Sequence, residues 1–180
     1  MTDESVMVLV VDDNEMNRDM LSRRLQRQNY QVMMAEDGEK ALEMIQNHSF
    51  DLVLLDIMMP KLSGYEVLEK IKKDEETRYI PVIMISAVDD LDSVVKCIEM
   101  GAEDYLFKPF NPVLLKARVS ASLEKNRLRR GNTLAAAAST VSALKTDVTA
   151  LLAGELNSSQ HETAERMQQN IDALSRMVNG

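Results

Sequence analysis

Short apolar runs alternate with helical patterns of hydrophobic and polar residues along the first two thirds of the chain. Each run is rich in Val, Ile, Leu or Met and has the length of a strand. The predicted strands are Val6–Val11, Gln31–Ala35, Leu52–Leu55, Pro81–Ile85 and Tyr105–Phe107. The segments between them predict helices at Asn14–Gln28, Gly38–Asn47, Gly64–Lys73 and Asp90–Met100. This alternation predicts an α/β fold with a five-stranded parallel, doubly wound (flavodoxin-like) sheet that is covered by helices on both faces.

Polar residues follow the predicted strands at the edge where sheets of this type bind ligands. Asp12 and Asp13 follow the first strand, Asp56 the third, Ser86 the fourth and Lys108 the fifth. Three carboxylates in one crevice repel one another unless one is protonated or a hard divalent cation lies among them. Mg²⁺ is the predicted cation, because it binds a few carboxylates and keeps positions for water and phosphoryl oxygens. A lysine and a hydroxyl opposite it complete what the phosphorylation of an aspartate requires.

Four motifs stand at these strand ends: VDDN at 11–14, LLDIMMPKLSGYEVL from Leu54, VIMISA ending at Ala87, and GAEDYLFKPF from Gly101. Together they give the chain a specific resemblance to the receiver domain of two-component response regulators. The resemblance implies that Asp56 is the phospho-acceptor and attacks a phosphohistidine of a partner histidine kinase or phosphotransfer protein.

The same resemblance implies roles for the other strand-end residues. Asp13, Asp56 and the backbone carbonyl of Met58 would bind Mg²⁺ directly, and Asp12 would act mainly through water. Lys108 would pair with the phosphoryl oxygens and Ser86 would donate a hydrogen bond to one of them. Tyr105 would be an aromatic switch that turns inward, and the peptide bond before Pro109 would be cis.

Local structural roles compete with three of these assignments. Asp12 could cap the helix that begins near Glu15, Ser86 could be an ordinary turn residue, and Tyr105 could simply pack in a half-buried strand. A cap needs only one acid, which favours the functional interpretation of the adjacent Asp12 and Asp13.

The last third of the chain predicts further helices. Asn111 and Pro112 begin a helix that becomes charged at LEKNRLRR. Beyond it, apolar residues recur at alternating three- and four-residue spacing, stop at GELNSS, and resume. This pattern predicts two amphipathic helices in an antiparallel hairpin. The predicted domains are therefore a receiver at 1–123, a linker helix at 124–132 and a helical hairpin at 133–180.

A lone hairpin leaves its apolar seam half exposed, so we expect a homodimer in which two hairpins form a four-helix bundle. The predicted interface residues are Leu134, Val141, Leu144, Val148, Leu151, Met167, Ile171, Leu174 and Val178.

The second helix of the hairpin reads QHETAERMQQNIDALSRMV. In this stretch most clearly, the hairpin resembles the dimerisation and phosphotransfer hairpin of sensor histidine kinases. The stretch of the first helix that would hold the phospho-accepting histidine reads ASTVSALKTDV and contains none. His161, at the start of the second helix, is more typical of a solvated residue than of a phosphotransfer site. The hairpin is therefore interpreted as degenerate, retained for assembly or for docking partners.

The charge, the cysteine content and the apolar runs of the chain limit the classes of partner and the cellular location that can be expected. The chain has 180 residues, a formal net charge of -8 and a pI near 4.9, so binding to nucleic acid is disfavoured despite Arg127, Arg129 and Arg130. The lone cysteine, Cys97, is predicted to be a small buried residue of a protein from a reducing compartment. No apolar run reaches the ~20 residues of a membrane span, and acids near the N-terminus do not suit a secretory signal, so a cytoplasmic location is expected.

The leading hypothesis is a phosphorylation-controlled regulator, not an enzyme beyond slow autodephosphorylation, in which Asp56 controls a dimeric helical region that engages a protein partner. Two alternatives stay open: a phosphorelay intermediate without its own output, and the N-terminal receiver of a longer kinase, cyclase or phosphatase. A DNA-binding regulator is opposed by the acidic balance and by the lack of any helix-turn-helix pattern.

Overall fold

The computed structural model describes residues 6–87 and 91–152, together with residues 165, 168, 169, 171 and 172. The strands are β1 Met7–Val11, β2 Gln31–Ala35, β3 Leu52–Asp56, β4 Val82–Ser86 and β5 Asp104–Phe107. The helices are α1 Glu15–Gln26, α2 Gly38–Asn47, α3 Gly64–Lys73, α4 Leu91–Glu99 and α5 Pro112–Leu152. The chain divides into two compact units, Met1–Asn126 and Arg127–Gly180.

The first unit is built on one parallel sheet with the strand order β2-β1-β3-β4-β5. Alternate residues of a strand face opposite sides of a sheet, and β1 accordingly contributes to two separate hydrophobic clusters. Leu9 and Val11 pack with residues of α2, α3 and α4, whereas Val8 and Val10 pack with residues of α1 and the start of α5. The predicted doubly wound α/β fold is therefore confirmed.

The first three helices of this unit begin at side chains that accept hydrogen bonds from backbone N–H groups. Asn14 caps α1, Asp37 caps α2, and Ser63 forms a reciprocal capping box with Glu66 at the start of α3. α2 and α3 have the bounds that the sequence predicts, because each of these caps stands just before a clear helical pattern.

Two kinds of boundary differ from the prediction. α1 ends at Gln26, two residues early, and the chain then turns through Asn29, whose φ of 63° lies in the left-handed region. β3 and β4 each continue one residue further than predicted, to Asp56 and Ser86, because pairing with the neighbouring strands continues there.

Cys97 is fully buried on α4, as the sequence predicts. Burial raises the pKa of its thiol, an effect opposed by a hydrogen bond with Tyr65 and by the nearby charge of Lys96. The thiol is therefore protonated at neutral pH and behaves as a small apolar side chain.

The predicted linker at 124–132 is part of one continuous helix. α5 begins after Asn111, whose side chain accepts hydrogen bonds from the N–H groups of Val113 and Leu114, and it passes through Gly131 without a break. Neither α5 nor any other helix in the described part of the chain combines the length and the apolar character needed to cross a membrane.

Ionic contacts join the part of α5 in the first unit to the start of β5. Arg118 pairs with Asp104, and Lys125 Nζ lies 2.5 Å from a carboxylate oxygen of Glu103. Since the two acids lie at the same end of β5, they hold α5 against the sheet over about two helical turns.

In the second unit, two polar contacts link α5 to the helical residues beyond 164. Lys145 Nζ lies 2.5 Å from Asp172 Oδ1, and the Thr149 hydroxyl donates to Gln168 Oε1 at 3.4 Å. Moving four residues forward along α5 thus moves four residues backward along the partner segment. This order of contacts is that of two antiparallel segments.

Candidate functional site

The parallel register of β1 and β3 brings the first acids of the site together. Val8 pairs with Leu52 and Val11 with Leu55. The same register places Asp12, the next residue after β1, beside Asp56, the last residue of β3. Both carboxyl-bearing residues are buried, with Asp12 fully buried and Asp56 2% exposed.

Asp13 joins them at the surface and completes a cluster of three carboxylates. One carboxylate oxygen from each of Asp12, Asp13 and Asp56 lies within 4.8 Å of the other two. Asp13 is exposed and thus opens the cluster to solvent. An all-oxygen set with one accessible member suits a hard divalent cation such as Mg²⁺.

Lys108 is the ammonium group that faces this cluster. Its Nζ donates to Asp12 Oδ2 and to Asp56 Oδ2, each at 2.8 Å, and its side chain is 19% exposed. β5 ends at Phe107, so Lys108 is the first residue beyond the strand, and its N–H donates to the Ser86 carbonyl at 2.7 Å. The sequence prediction that these strand ends converge is in agreement with this geometry.

The electrostatics of the site follow from its burial. Burial raises the pKa of Asp56, and the charge of Asp12 raises it further, although the hydrogen bond and the charge of Lys108 oppose both effects. For Lys108, burial lowers the pKa, but the hydrogen bonds to Asp12 and Asp56 and the negative charges of these acids together raise it overall. Lys108 is therefore protonated at neutral pH, while ionisation of the buried Asp56 destabilises the folded protein.

Two residues of α1 that the sequence analysis did not single out hold Asp12 in place. The amide of Asn17 donates to Asp12 Oδ1 at 3.1 Å and to Oδ2 at 3.2 Å, and Arg18 Nη1 donates to the Asp12 backbone carbonyl at 2.7 Å. The N–H of Asn14 adds a bond to Oδ1 at 2.9 Å. The sequence feature that could have pointed to Asn17 and Arg18 is the run of polar residues in the first helical turn after Asp12 and Asp13.

Asp12 therefore does not cap α1 in the usual way. The side chain that accepts from the third residue of the helix belongs to Asn14, and Asp12 accepts from the N–H of Asn14 itself. The competing structural role for Asp12 is thus filled by a neighbour, which leaves the carboxylate for the crevice.

The other predicted site residues lie around this centre. Ser86 is fully buried at the end of β4, and Tyr105 is 4% exposed, with its ring 5.0 Å from that of Phe107. Met58 is 64% exposed, and its N–H donates to Asp56 Oδ1 at 3.4 Å. The Lys108–Pro109 peptide bond is cis, as the resemblance implies.

Gly64, at the start of α3, packs directly on the backbone of Asp56. A Cβ at this position would lie 2.2 Å from the Asp56 carbonyl oxygen and 2.8 Å from Ile57 Cα. The N–H of Gly64 donates to the Ile57 carbonyl at 2.9 Å. Only a residue without a side chain allows α3 to hold the end of β3 this closely.

The predicted dimer residues are described only in part. Ile171 is buried at 7% exposure, and Val141 is partly buried. The side chains of Leu134, Leu144, Val148 and Leu151 lie outside the described part of the structure, as do residues Met167, Leu174 and Val178 and the predicted helix start at His161.

Comparison with known proteins gives one family. A sequence model of the response regulator receiver domain matches residues 8–120. A crystal structure of a putative response regulator from Chloroflexus aurantiacus J-10-fl superposes with a TM-score of 0.65 at 32% identity, covering 67% of this chain and 99% of that one.

Curated relatives share this region but differ in their names. The chain is 43% identical over 122 residues to a probable transcriptional regulator, ycf27, of Cyanidium caldarium, covering 68% of this chain and 48% of that protein. It is 42% identical over 120 residues to a probable cyclic di-GMP phosphodiesterase of Vibrio cholerae, covering 67% of this chain and 27% of that protein. The chain thus spans about half, or less, of the length of these relatives.

Proposed function

Because this chain belongs to the family of response regulator receiver domains, we propose that it is a phospho-accepting regulator whose phosphorylation at Asp56 controls its helical region. The single observation that carries the proposal is the cluster of Asp12, Asp13 and Asp56, with Lys108 Nζ placed 2.8 Å from two of the three carboxylates. The proposed donor is a phosphohistidine of a histidine kinase or phosphotransfer protein.

In the proposed reaction, a carboxylate oxygen of Asp56 forms a bond to phosphorus while the bond from phosphorus to the histidine nitrogen breaks. The imidazole leaves with the electron pair of that bond and takes up a proton. Lys108 neutralises charge on the phosphoryl oxygens, and Ser86 donates a hydrogen bond to one of them. Burial of Asp56 keeps water from these groups and strengthens each of these interactions.

Asp13, Asp56 and the Met58 carbonyl are proposed to hold Mg²⁺, with Asp12 bound through water. When bound, the cation supplies further neutralisation of the carboxylates and of the phosphoryl group. The fit rests on the donor set, which is made only of oxygen and in which Asp13 is open to solvent.

The test is phosphorylation by a small phosphodonor such as phosphoramidate, followed by intact-protein mass. Wild type should gain the mass of one phosphoryl group with Mg²⁺ and gain little after chelation with EDTA. Asp56→Asn should gain none, whereas Asp19→Asn, which alters an exposed acid of α1, should behave as wild type. Equal labelling of wild type and Asp56→Asn would refute the assignment of the acceptor.

The output is proposed to be a homodimer formed through residues 133–179, which presents a surface to a downstream protein. The antiparallel order of the contacts Lys145–Asp172 and Thr149–Gln168 supports a hairpin there, and the buried Ile171 supports an apolar seam. Light scattering should give a dimer mass for the full chain and a monomer mass for a chain that ends at Asn126. Monomer masses for both would exclude the dimer.

Beryllofluoride with Mg²⁺ mimics the phosphoryl group and tests the link between the two units. A change in the dimer fraction would support control of assembly by Asp56. A constant fraction, with beryllofluoride binding demonstrated, would instead place the readout on the receiver surface and contradict this part of the proposal.

A further inference from the structure

Asp12 is the most enclosed of the three clustered carboxylates, and its hydrogen bonds are the most complete. Its side chain is 1% exposed, against 3% for Asp56. Among the described residues, the donors to its two oxygens are the N–H of Asn14, the amide of Asn17 and Lys108 Nζ. Asn17 and Lys108 are the two side chains in this set.

The amide of Asn17 lies across both oxygens of Asp12. Its Nδ2 is 3.1 Å from Oδ1 and 3.2 Å from Oδ2, so one donor is shared between the two oxygens. Asn17 is the third residue of α1, and its N–H is accepted by the side chain of Asn14 at 3.2 Å. The helix start therefore fixes the place from which the amide reaches the carboxylate.

A neutral donor is the type of side chain that this location favours. Lys108 already gives the cluster one positive charge, and the Arg18 guanidinium binds the Asp12 carbonyl nearby. A further cation at position 17 would weaken the attraction of the three carboxylates for a metal ion, and an acid there would repel Asp12. An amide satisfies Asp12 without changing the charge of the cluster.

We propose that Asn17 is a positioning residue for the cation site, whose amide contacts both oxygens of Asp12 and so fixes the orientation of this carboxylate in the crevice. The inference rests on the proposed function, because it takes the carboxylates of Asp12, Asp13 and Asp56 to be the Mg²⁺ site. Groups that orient metal ligands or their bound waters typically change metal affinity by about 10- to 100-fold when they are removed.

The test compares Mg²⁺ binding by calorimetry in the full chain and in three asparagine variants. Asn17→Ala should raise the Kd for Mg²⁺ by about tenfold or more. Asn14→Ala removes the cap of α1 and should lower the urea midpoint, but it keeps the backbone donor and the Asn17 amide on Asp12, so it should raise the Kd much less than Asn17→Ala does. Asn47→Ala, an exposed asparagine at the end of α2 that bonds to its own helix, should alter neither value.

A second measurement needs no metal and no variant. The side-chain amide protons of Asn17 should exchange slowly with solvent in the metal-free protein, because both Asp12 oxygens accept from this amide, whereas those of the exposed Asn47 should exchange fast. Rapid exchange at Asn17 would overturn the inference even if Asn17→Ala failed to fold.

The outcomes separate this inference from the proposed function. If wild type binds Mg²⁺ and Asn17→Ala binds it equally well, Asn17 is not a positioning residue. If Asn14→Ala weakens binding as much as Asn17→Ala, the effect comes from the start of α1 and the inference is wrong. If wild type shows no binding of Mg²⁺, the proposed cation site itself fails.

Discussion

Replacing Lys108 by methionine leaves two buried carboxylates without the ammonium that bridges them. Lys108 Nζ is 2.8 Å from both Asp12 and Asp56, and each contact is worth ~6 kcal/mol at an effective dielectric constant of about 20. The two carboxylates, whose oxygens approach within 4.8 Å, repel each other by ~3.5 kcal/mol or more on the same scale. These gross terms are offset by the return of Lys108 to water in the unfolded chain. We expect the net cost of Lys108→Met to be about 3–5 kcal/mol, which is typical for breaking a buried ion pair from one side.

The assay is urea unfolding in EDTA at several pH values, followed by circular dichroism. The pKa of Asp56 is already raised in the wild type, and the loss of Lys108 should raise it further. An acid whose pKa is higher in the folded state is penalised as pH rises above its unfolded pKa of about 4, and the penalty disappears as pH falls toward that value. The difference between wild type and Lys108→Met should therefore be largest at neutral pH and shrink on acidification. Saturating Mg²⁺ should also reduce it, because the cation replaces the lost charge.

Lys40→Met is the matched control, since Lys40 pairs with Glu43 at 2.8 Å but its side chain is 51% exposed. Its urea midpoint should equal that of wild type, because water screens an exposed pair. A cost below about 1 kcal/mol for Lys108→Met would show that Lys108 and the two acids are not a coupled buried cluster. A cost that is the same at every pH and with Mg²⁺ would show the same.

Three further outcomes are expected. Asp56→Asn should raise Tm by a few degrees in metal-free protein at neutral pH, and the gain should vanish on acidification, because burial raises the pKa of Asp56; an unchanged or lower Tm would contradict it. Gly64→Ala should cost about 2–3 kcal/mol in urea unfolding, since a Cβ would lie 2.2 Å from the Asp56 carbonyl oxygen; a loss below 1 kcal/mol would show that α3 can move. Lys145→Asp and Asp172→Lys each place two like charges in contact, so each should lower the Tm of the full chain at low salt, where screening is weak, and together they should restore it; an uncoupled pair at low salt would argue against antiparallel pairing.

The strands were predictable because their apolar runs are covered on both sides of the sheet. The bounds of α2 and α3 were predictable because Asp37 and Ser63 are side chains that typically cap helices. The end of α1 was not predictable, since Arg27 and Gln28 are good helix formers and neither residue signals the end of a helix. The chain leaves the helix there through Asn29, and asparagine tolerates the left-handed conformation better than most residues.

The convergence of the acids was predictable because carboxyl ends of parallel strands share one edge of a sheet. The hydrogen bonds and the packing that hold these acids in place were not predictable. Asn17 looks like an ordinary polar residue of a first helical turn, and its contact with Asp12 depends on how α1 leaves β1. Gly64 gave no local signal, because its close approach to Asp56 is a contact between two elements.

The sequence predicts a linker helix at 124–132 and a hairpin from residue 133, but it does not predict that one helix runs through both, and glycine usually weakens a helix. In an exposed helix interior this costs only about 1 kcal/mol, and the residues on either side of Gly131 include good helix formers such as Arg130. Apart from the adjoining backbone of α5, no atom of the described residues lies within 4 Å of the position that a Cβ would occupy at Gly131, so no tertiary contact there forces a break.

The fully buried Cys97 is a natural site at which thiol labelling can report the opening of α4. Its thiol is protonated and buried where α4 packs on the hydrophobic core, so a thiol reagent in solution cannot reach it until that helix opens or the domain unfolds. The rate of modification therefore measures how often α4 opens in the otherwise native molecule. Since the sequence contains one cysteine, the signal comes from a single position without any engineered change.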